Sequence, residues 1–410
     1  MIVRTALRCG TCDCLHVVRI GMGHEERNAH RFQCRGCQQD ILVALEVDYE
    51  AVAHRVVLEE NAVWADEAPD AAIVNLDANF LIPEDQQGVD YAMPRLGHIH
   101  ELLERARDAG QIPLEVPFDS SKLGERPYRR ADYAAEWKEL RAAWNLHRNG
   151  KVVLSRAKIR SGTKSYYPSD ALSDLPDWVW RMALQLTTPK FERQFIEAVD
   201  ALKPILDKAE FKRFSTDYGT KMTSTRALVY FKIMNSYFNA YADFAQVQFM
   251  IRGGIEIDNT LKVTSADFER TQMFYGNAFE AFGDLVNFLV FANNMLQGRP
   301  YDGFAQLTLK KYYELDKKAR FNVLSGTPSF SALCIEADNQ LRNASHHGGM
   351  SYDAADQIII FHVGKGGQGA EQSISYAEYL GRCVTMFMQI MTLLRIELVI
   401  CSTQNIPCPL

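Results

Sequence analysis

The sequence lacks the apolar N-terminal run of a signal peptide and any long hydrophobic stretch free of polar residues. Its longest apolar stretches, 285–295 and 383–400, are short or contain Gln389, Arg395 and Glu397, so we expect core helices rather than membrane spans. Charged residues make up 23% and hydrophobic residues 47%, which excludes global disorder and allows about two or three domains in 410 residues. We expect a cytoplasmic protein without a membrane partner.

Basic residues are scarce between residues 46 and 120, where four Arg stand against 17 acidic residues, a balance of −13. Residues 121–165 have the opposite balance, with 12 basic and four acidic residues, or +8. Opposite charges on neighbouring segments attract each other, although exposed ion pairs contribute little individually. The pattern predicts an acidic linker or wrapping segment over residues 51–120. It also predicts a basic, helical middle region over residues 121–215. We expect the acidic segment to lie across the basic surface of this region.

The nine cysteines are concentrated near the N-terminus, and four of them form two C-x2-C pairs separated by 21 residues. The pairs are Cys9 with Cys12 and Cys34 with Cys37. Two such turns can present four thiolates to Zn²⁺ in a tetrahedral arrangement. The sequence therefore predicts a zinc-ribbon-like domain over residues 1–50, with one structural zinc ion and no metal for catalysis.

Two features of this domain leave alternatives open. Cys14 and His16 lie close enough in sequence to replace one of the four ligands. Reactive or redox-active thiols are the alternative to a metal site. Strands are predicted over 16–20 and 41–47, and so small a β-rich unit needs a metal to fold.

The C-terminal half is helical, with apolar residues spaced three or four apart. This pattern predicts four long helices, over 231–249, 268–289, 328–347 and 376–398, with a linking helix over 304–323. Long amphipathic helices with short connections favour a bundle, here residues 216–410. The predicted fold is mainly α: a C-terminal four-helix bundle preceded by a small β-rich zinc ribbon and a mixed linker region.

A polar motif ends the third predicted helix, with the sequence Arg342-Asn343-Ala344-Ser345-His346-His347. Arg342 with His346, and Asn343 with His347, are i, i+4 pairs, so each pair lies on one flank of the helix. Arg and His in a last helical turn also interact favourably with the helix dipole, which is the structural alternative to a catalytic role.

This stretch resembles the R-N-x3-H motif of the HEPN superfamily, with Arg342, Asn343 and His347 at the motif positions and His346 as an alternative histidine. The resemblance covers roughly residues 222–402. It implies a HEPN-like four-helix bundle and a homodimer in which two motifs face each other. It also implies metal-independent endoribonuclease activity in a toxin or antiphage effector. Some HEPN domains keep the fold without cleaving RNA.

The residue types suit that chemistry. A His can move the 2′-hydroxyl proton near neutral pH, and an Arg can hold the phosphate. Asp243, Glu280 and Asp284 lie on bundle helices within possible reach of the motif, and the sequence does not select one.

Basic residues interleaved with aromatic residues form a candidate RNA-binding surface, although charge runs are usually solvated faces. The candidates are Arg129, Arg130, Arg156, Lys158, Arg160 and, at a Gly-rich hairpin tip, Lys365. The leading hypothesis is an RNA-cleaving enzyme. The alternatives are a non-catalytic zinc-ribbon regulator that binds nucleic acid or protein, and a HEPN scaffold subunit with a partner protein.

Overall fold

A computed structural model describes residues 1–23, 25–108, 132–167, 172–264, 267–346, 349–364 and 369–410. Twelve strands and sixteen α-helices are present in these ranges. The strands are β1 (Ile2–Cys9), β2 (Leu15–Gly21), β3 (Arg27–Gln33), β4 (Asp40–Asp48), β5 (Ala53–Glu60), β6 (Ala62–Trp64), β7 (Ala72–Asp77), β8 (Ile82–Pro83), β9 (Leu261–Lys262), β10 (Met350–Asp353), β11 (Ile358–His362) and β12 (Glu371–Ser375).

The helices follow a β-rich N-terminal region, as expected for a mainly α chain with small sheets. They are α1 (Pro94–Asp108), α2 (Tyr133–Arg148), α3 (Val152–Gly162), α4 (Leu175–Thr187), α5 (Glu192–Leu202), α6 (Ala209–Asp217), α7 (Thr223–Asn239), α8 (Tyr241–Arg252), α9 (Phe268–Thr271), α10 (Phe274–Leu285), α11 (Asn287–Leu296), α12 (Leu309–Glu314), α13 (Lys317–Asn322), α14 (Pro328–Ser331), α15 (Asn339–His346) and α16 (Tyr376–Gln404).

Strands β1 to β7 form two small sheets, which we call the β unit. One sheet has the order β6-β1-β2-β7, with β7 parallel to β2, and the other has the order β3-β4-β5. Alternating side chains such as Leu7, Val18, Val43 and Leu45 are buried in a shared core between them. The core side chains alternate along each strand because successive residues of a strand point to opposite faces.

The β unit extends beyond the predicted ribbon, which corrects the expectation of a linker over the first part of residues 51–120. Strand β5 pairs with β4, β6 with β1 and β7 with β2. Val74 and Leu76 of β7 are buried in the same core as Val18. The short apolar pieces of this acidic segment are therefore strands that complete the two sheets, and they need no separate core.

Several acidic residues of this segment pair with arginines of the β unit and of α1. Glu59 pairs with Arg27 of β3, and Asp77 pairs with Arg95 of α1 at 2.8 Å. Arg4 of β1 pairs with Glu67 at 2.7 Å and with Asp90 at 2.6 Å. In the part that the structure describes, some acids of residues 46–120 thus pair with arginines of the β unit, such as Arg4 and Arg27.

The β unit is attached to the helices through the segment that follows β7. Leu81 is fully buried in the helical core, and β8 pairs with β9. Thr264 Oγ1 donates to the Asp77 carbonyl oxygen at 2.8 Å, and the Gln246 side chain donates to the same oxygen. These contacts fix the orientation of the two parts of the chain.

Helix α16 is the centre of the helical part and packs against α4, α5, α7, α8 and α10. Among the described helices, α16 is the one that is long and apolar enough to cross a membrane. The most apolar 18-residue stretch of α16 is 89% buried by the surrounding protein, as is typical of a helix in a protein core.

The prediction of one continuous third bundle helix over 328–347 is wrong, because this stretch is divided into α14 and α15. Asp338 caps α15, because its side chain accepts from the backbone N–H of Gln340 at 2.8 Å and of Leu341 at 3.1 Å. Gln389 of α16 holds the loop before it, accepting from Glu336 N–H at 2.6 Å and donating to the Glu336 carbonyl at 3.1 Å. The polar motif therefore belongs to a short helix that begins at Asn339.

The other predicted helices are also divided. Residues 231–249 are shared between α7 and α8, residues 268–289 between α9, α10 and α11, and residues 304–323 contain α12 and α13. The side chain of Asp316 accepts from Ala319 N–H and begins α13, which explains one of these breaks.

Candidate functional site

The two cysteine pairs lie in two turns of the same construction, one between β1 and β2 and the other between β3 and β4. Cys9 N–H donates to the Cys14 carbonyl and Asp13 N–H donates to the Cys9 carbonyl, at 2.9 and 3.0 Å. In the second turn Cys34 N–H donates to Gln39 and Gln38 N–H donates to Cys34, both at 2.9 Å. Asp13 and Gln38 both have positive φ, 60° and 62°.

The four thiols fit a zinc ion. Their sulfur atoms lie within 4.8 Å of one another. The Cys9–Cys37 and Cys12–Cys34 Sγ distances are 3.7 and 3.5 Å. A tetrahedral Zn²⁺ with Zn–S bonds of about 2.3 Å separates its sulfur ligands by roughly 3.8 Å. The predicted ligands Cys9, Cys12, Cys34 and Cys37 are therefore together and could hold one zinc ion.

Backbone groups around the sulfur atoms also suit thiolates. Thr11 N–H donates to Cys9 Sγ at 3.4 Å, and Gly36 N–H donates to Cys34 Sγ at 3.3 Å. Although burial opposes it, the N–H groups of Thr11 and Cys12 help to lower the pKa of Cys9 to about 7. Donors of this kind fix the ligands and stabilise their negative charge.

The polar motif of α15 is built around Arg342. Its Nε donates to Glu280 Oε1 of α10 at 2.7 Å, and its Nη2 donates to the same carboxylate. Its Nη1 donates to Asn343 Oδ1 at 2.7 Å. The side chains of Arg342 and Glu280 remain 23% and 29% exposed, so a solute can reach them. Of the three carboxylates that the sequence left open, Glu280 is the one that binds the motif.

The other two carboxylates bind elsewhere. Asp284, one turn after Glu280, binds Lys317 and lies 3.2 Å from Arg320 Nη1. Lys317 Nζ is also 3.9 Å from Glu280. The two carboxylates of α10 are therefore paired with three basic side chains: Lys317, Arg320 and Arg342. Asp243 is buried and pairs with Arg270 at 3.4 Å.

Helix α15 lies very close to α10 at the end of the motif. A Cβ atom added to Gly276 would lie 3.0 Å from His346 Cβ and 3.1 Å from His346 N, so only glycine fits there without displacement. Ser345 is buried and donates to the Gln272 carbonyl at 2.5 Å, while Gly276 N–H donates to Ser345 Oγ at 3.1 Å. These contacts fix the last turn of α15, which carries half-buried His346 on the flank of Arg342.

A second polar cluster fixes the start of α15. Tyr275 OH donates to Glu336, and Arg382 Nη2 lies 3.0 Å from both Glu336 and Asp338. Burial opposes it, but the Leu341 N–H and the Arg382 charge hold the pKa of Asp338 below its ordinary value. Burial, followed by the Glu336 charge, raises the pKa of Tyr275 above its ordinary value. Both ends of α15 are thus held by α10 and α16.

The predicted RNA-binding residues are described in part. Arg156 and Arg160 are exposed on α3, and neither forms an ion pair with any residue in the described ranges. Lys158 on the same helix pairs with Glu139 of α2 at 2.5 Å. Four predicted site residues lie outside the described residues: His347, Arg129, Arg130 and Lys365. In the hairpin between β11 and β12, Gly364 N–H donates to Gln340 Oε1 at 2.9 Å, so this hairpin contacts the start of α15.

Sequence reasoning missed several groups around these sites. Tyr275, Glu336 and Arg382 have no motif of their own, and only the packing of α10, α15 and α16 brings them together. A cavity of about 580 Å³ between the β unit and the helices was also unforeseen, and its lining includes Arg35 and Tyr352. No local pattern in the sequence indicates any of these groups, because residues of distant segments form them.

Comparison with known proteins gives no relative for this chain. No family model, curated protein or solved structure matches it.

Proposed function

We propose that the chain is a metal-independent endoribonuclease of the HEPN type, with Arg342 and a histidine of the same motif at its active site. The observation that carries the proposal is the position of Arg342. Its guanidinium is oriented by Glu280 and Asn343, yet it is still partly open to solvent. An oriented arginine fork at the edge of a packed core suits the binding of a phosphodiester.

The proposed chemistry divides the work between the arginine and a histidine. Arg342 holds the phosphate and the charge that develops on it. His347, or His346 in its place, takes the 2′-hydroxyl proton near neutral pH. The 2′-oxygen then attacks phosphorus, and the 5′-oxygen leaves with the proton that the protonated histidine returns, so the products end in a 2′,3′-cyclic phosphate and a 5′-hydroxyl. Glu280 acts through Arg342 and is a positioning residue.

The homodimer, the toxin or antiphage role and the cytoplasmic location belong to the same proposal. The homodimer and the toxin or antiphage role are supported by the motif resemblance, and the burial of α16 in the protein core agrees with a protein outside the membrane. The zinc ion has a structural role in this proposal, since all four of its positions are taken by thiolates.

The deciding experiment is RNA cleavage by the purified protein in EDTA, with end-group analysis of the products. We expect activity in the wild type and a loss of at least 100-fold in Arg342→Ala, of the order seen when one charge-stabilising donor is removed. Arg342→Lys keeps the charge but loses the fork, so it should restore little activity. The matched control is Arg193→Ala, which removes an 85% exposed arginine of α5.

The histidine variants decide the register of the motif. His347→Ala should abolish cleavage if the R-N-x3-H spacing holds, whereas loss in His346→Ala alone would assign the proton transfer to His346. Equal cleavage by Arg342→Ala and wild type would refute this active site.

A second candidate function is RNA binding without cleavage. It is favoured by the internal bonds of all three guanidinium nitrogens of Arg342 and by the exposed arginines of α3, Arg156 and Arg160. Under this alternative, the wild type binds RNA and leaves it intact under all conditions tested.

A further inference from the structure

The first cysteine turn offers more metal ligands than one zinc ion can take. Besides the four thiols, Cys14, His16 and Cys34 form a second group whose ligand atoms lie within 4.8 Å of one another. Cys34 belongs to both groups. A tetrahedral zinc takes four ligands, so two soft donors, Cys14 and His16, remain next to a site that is already complete.

Cys14 does not belong to the turn pattern that the two cysteine pairs share. It occupies the position at which the second turn has Gln39, the residue whose carbonyl accepts from the first cysteine of the pair. Its thiol donates a long hydrogen bond to the Leu15 carbonyl at 3.9 Å and also interacts with the Cys34 side chain and the Gly36 backbone N–H. The turn geometry therefore requires no thiol here, and the sulfur is available to a ligand.

The second turn makes room for this extra thiol. A Cβ atom added to Gly36 would lie 3.0 Å from Cys14 Cβ, 3.3 Å from Cys14 Sγ and 3.2 Å from Cys12 Sγ. The equivalent position of the first turn holds Thr11, which has a side chain. A glycine at position 36 thus allows Cys14 to lie directly against the turn that carries Cys34.

His16 completes the group from inside the β unit. Its side chain is fully buried, and its Nε2 accepts from the Arg35 backbone N–H at 3.1 Å. An Nε2 that accepts a hydrogen bond has its lone pair free of a proton, which is the form that binds a metal. This lone pair faces the turn that begins at Cys34, and a metal ion would replace one neutral hydrogen bond.

We propose that Cys14, His16 and Cys34 hold a second zinc-type cation that shares the Cys34 thiolate with the first, giving a binuclear centre. The second ion has three protein ligands, so its fourth position is open to water or to a small solute. With fewer thiolates it binds more weakly than the first ion and is lost first to a chelator. The proposal does not depend on the proposed ribonuclease function.

The test is the metal stoichiometry of the full-length protein. Metal-free wild type is titrated with Co²⁺, and the thiolate-to-metal absorption is followed together with elemental analysis after loading with Zn²⁺. We expect two equivalents that fill in two phases. Cys14→Ser and His16→Asn should each bind one equivalent, with the tetrahedral four-thiolate spectrum retained. The control is Cys408→Ser, a half-buried cysteine of the C-terminus, which should still bind two.

Every other outcome refutes the second site. A wild type that binds one equivalent has no second site. A second equivalent that persists in Cys14→Ser and His16→Asn is adventitious binding elsewhere. Loss of all metal in Cys14→Ser would make Cys14 a ligand of a single ion. Retention of the first equivalent in the variants shows at the same time that the β unit remains folded.

Discussion

The β unit and the helical part of the chain are held together by different means. Twelve buried apolar or thiol side chains form the β core, and they contain no Phe, Tyr or Trp, while two of them are Cys9 and Cys34. The helical core contains fully buried Trp144 and Trp178 and many Phe and Tyr side chains. Aromatic side chains bury far more area each, so the helical part can fold by packing, whereas we expect the β unit to need a metal ion bound to its thiols.

The same contrast applies to buried charge. In the helical core, fully buried Glu397 of α16 binds Arg226 of α7 and accepts from Tyr218 OH and Tyr230 OH, both at 2.5 Å. Most ion pairs described for the β unit involve exposed arginines such as Arg4, Arg27 and Arg55. Removal of a partner should therefore matter greatly in the helices and little in the β unit.

Metal removal is expected to give the largest difference between the two parts. Structural zinc contributes about 10–16 kcal/mol in zinc-finger peptides. We therefore expect Cys9→Ser, or exhaustive chelation, to unfold the β unit while the helices stay folded. Hydrogen exchange resolved by peptide should show lost protection over residues 2–77 and retained protection in α16. Cys334→Ser, in the helical part, is the control and should change the protection of neither region. A β unit that stays protected against exchange without metal would show that its fold does not depend on the metal.

Breaking the buried ion pair should have the next largest effect. Glu397→Gln leaves Arg226 without a charge partner in the core, and such a loss costs about 3–5 kcal/mol. Denaturant unfolding measures the change in the free energy of unfolding. The matched control is Glu210→Gln, which breaks an exposed pair with Arg213 and should cost no more than about 1 kcal/mol. Equal costs for the two variants would remove the distinction between core and surface charge.

The sequence predicts the cluster of four thiols well because their spacing carries the information. Each C-x2-C pair determines its own turn, so Cys9, Cys12, Cys34 and Cys37 could be assigned without knowledge of the sheets. The strands at 16–20 and 41–47 are also confirmed, as β2 and β4. These features are local, and local patterns are visible in a sequence.

The features that the sequence did not predict depend on contacts between distant residues. The apolar residues of strand β7 are visible in the sequence, but its place in the sheet comes from parallel pairing with β2, which no local pattern indicates. The break before α15 depends on Gln389, 53 residues away from Glu336. The choice of Glu280 over Asp243 depends on how α10 and α15 pack, so the sequence could name the candidates but not select among them.

The buried carboxyl group of Asp243 should make the stability of the helical part depend on pH. Burial raises the pKa of Asp243 from 3.8 to about 7, while Arg270 opposes the shift. Because the folded state holds this proton more tightly than the unfolded chain, the stability linked to it is complete below pH 4. It is lost as the pH rises from about 4 to 7.

Asp243→Asn should therefore gain stability relative to wild type as the pH rises, by about 2–4 kcal/mol between pH 4 and pH 8 at one pKa unit per 1.4 kcal/mol. Urea unfolding at both pH values measures this gain. Asp200→Asn, an exposed carboxyl of α5, should show no such trend. If the free energies of unfolding of Asp243→Asn and wild type differ by the same amount at both pH values, the pKa of Asp243 is not raised by burial.

Two glycines in helices test whether the close contact of α10 and α15 is specific. Gly276→Ala places a Cβ atom against His346 and should cost about 1–2 kcal/mol, as overpacking does. Gly97→Ala in α1 has open space around its Cβ and should stabilise by roughly 0.5–1 kcal/mol through helix propensity. Thermal unfolding measures both changes. If Gly276→Ala were also stabilising, the last turn of α15 would not be held as tightly as described.

The smallest expected effect lies on the surface of α3. Arg156 and Arg160 are exposed and form no ion pair with described residues, whereas Lys158 is already neutralised by Glu139. Arg156→Ala combined with Arg160→Ala should leave the free energy of unfolding within about 0.5 kcal/mol. If both arginines contact phosphates of single-stranded RNA, the slope of log affinity against log salt should fall by about 0.7 for each.

The measurement is RNA binding by the intact protein over a range of salt concentrations, and Lys158→Ala is the matched control. That variant gives up a lysine whose charge is already balanced within the protein, so its slope should change less than that of the double arginine variant. An unchanged slope in the double variant would show that α3 is a solvated face. Binding of RNA would then have to be sought on the helical surface around Arg342, where the exposed fraction of the side chain is smaller.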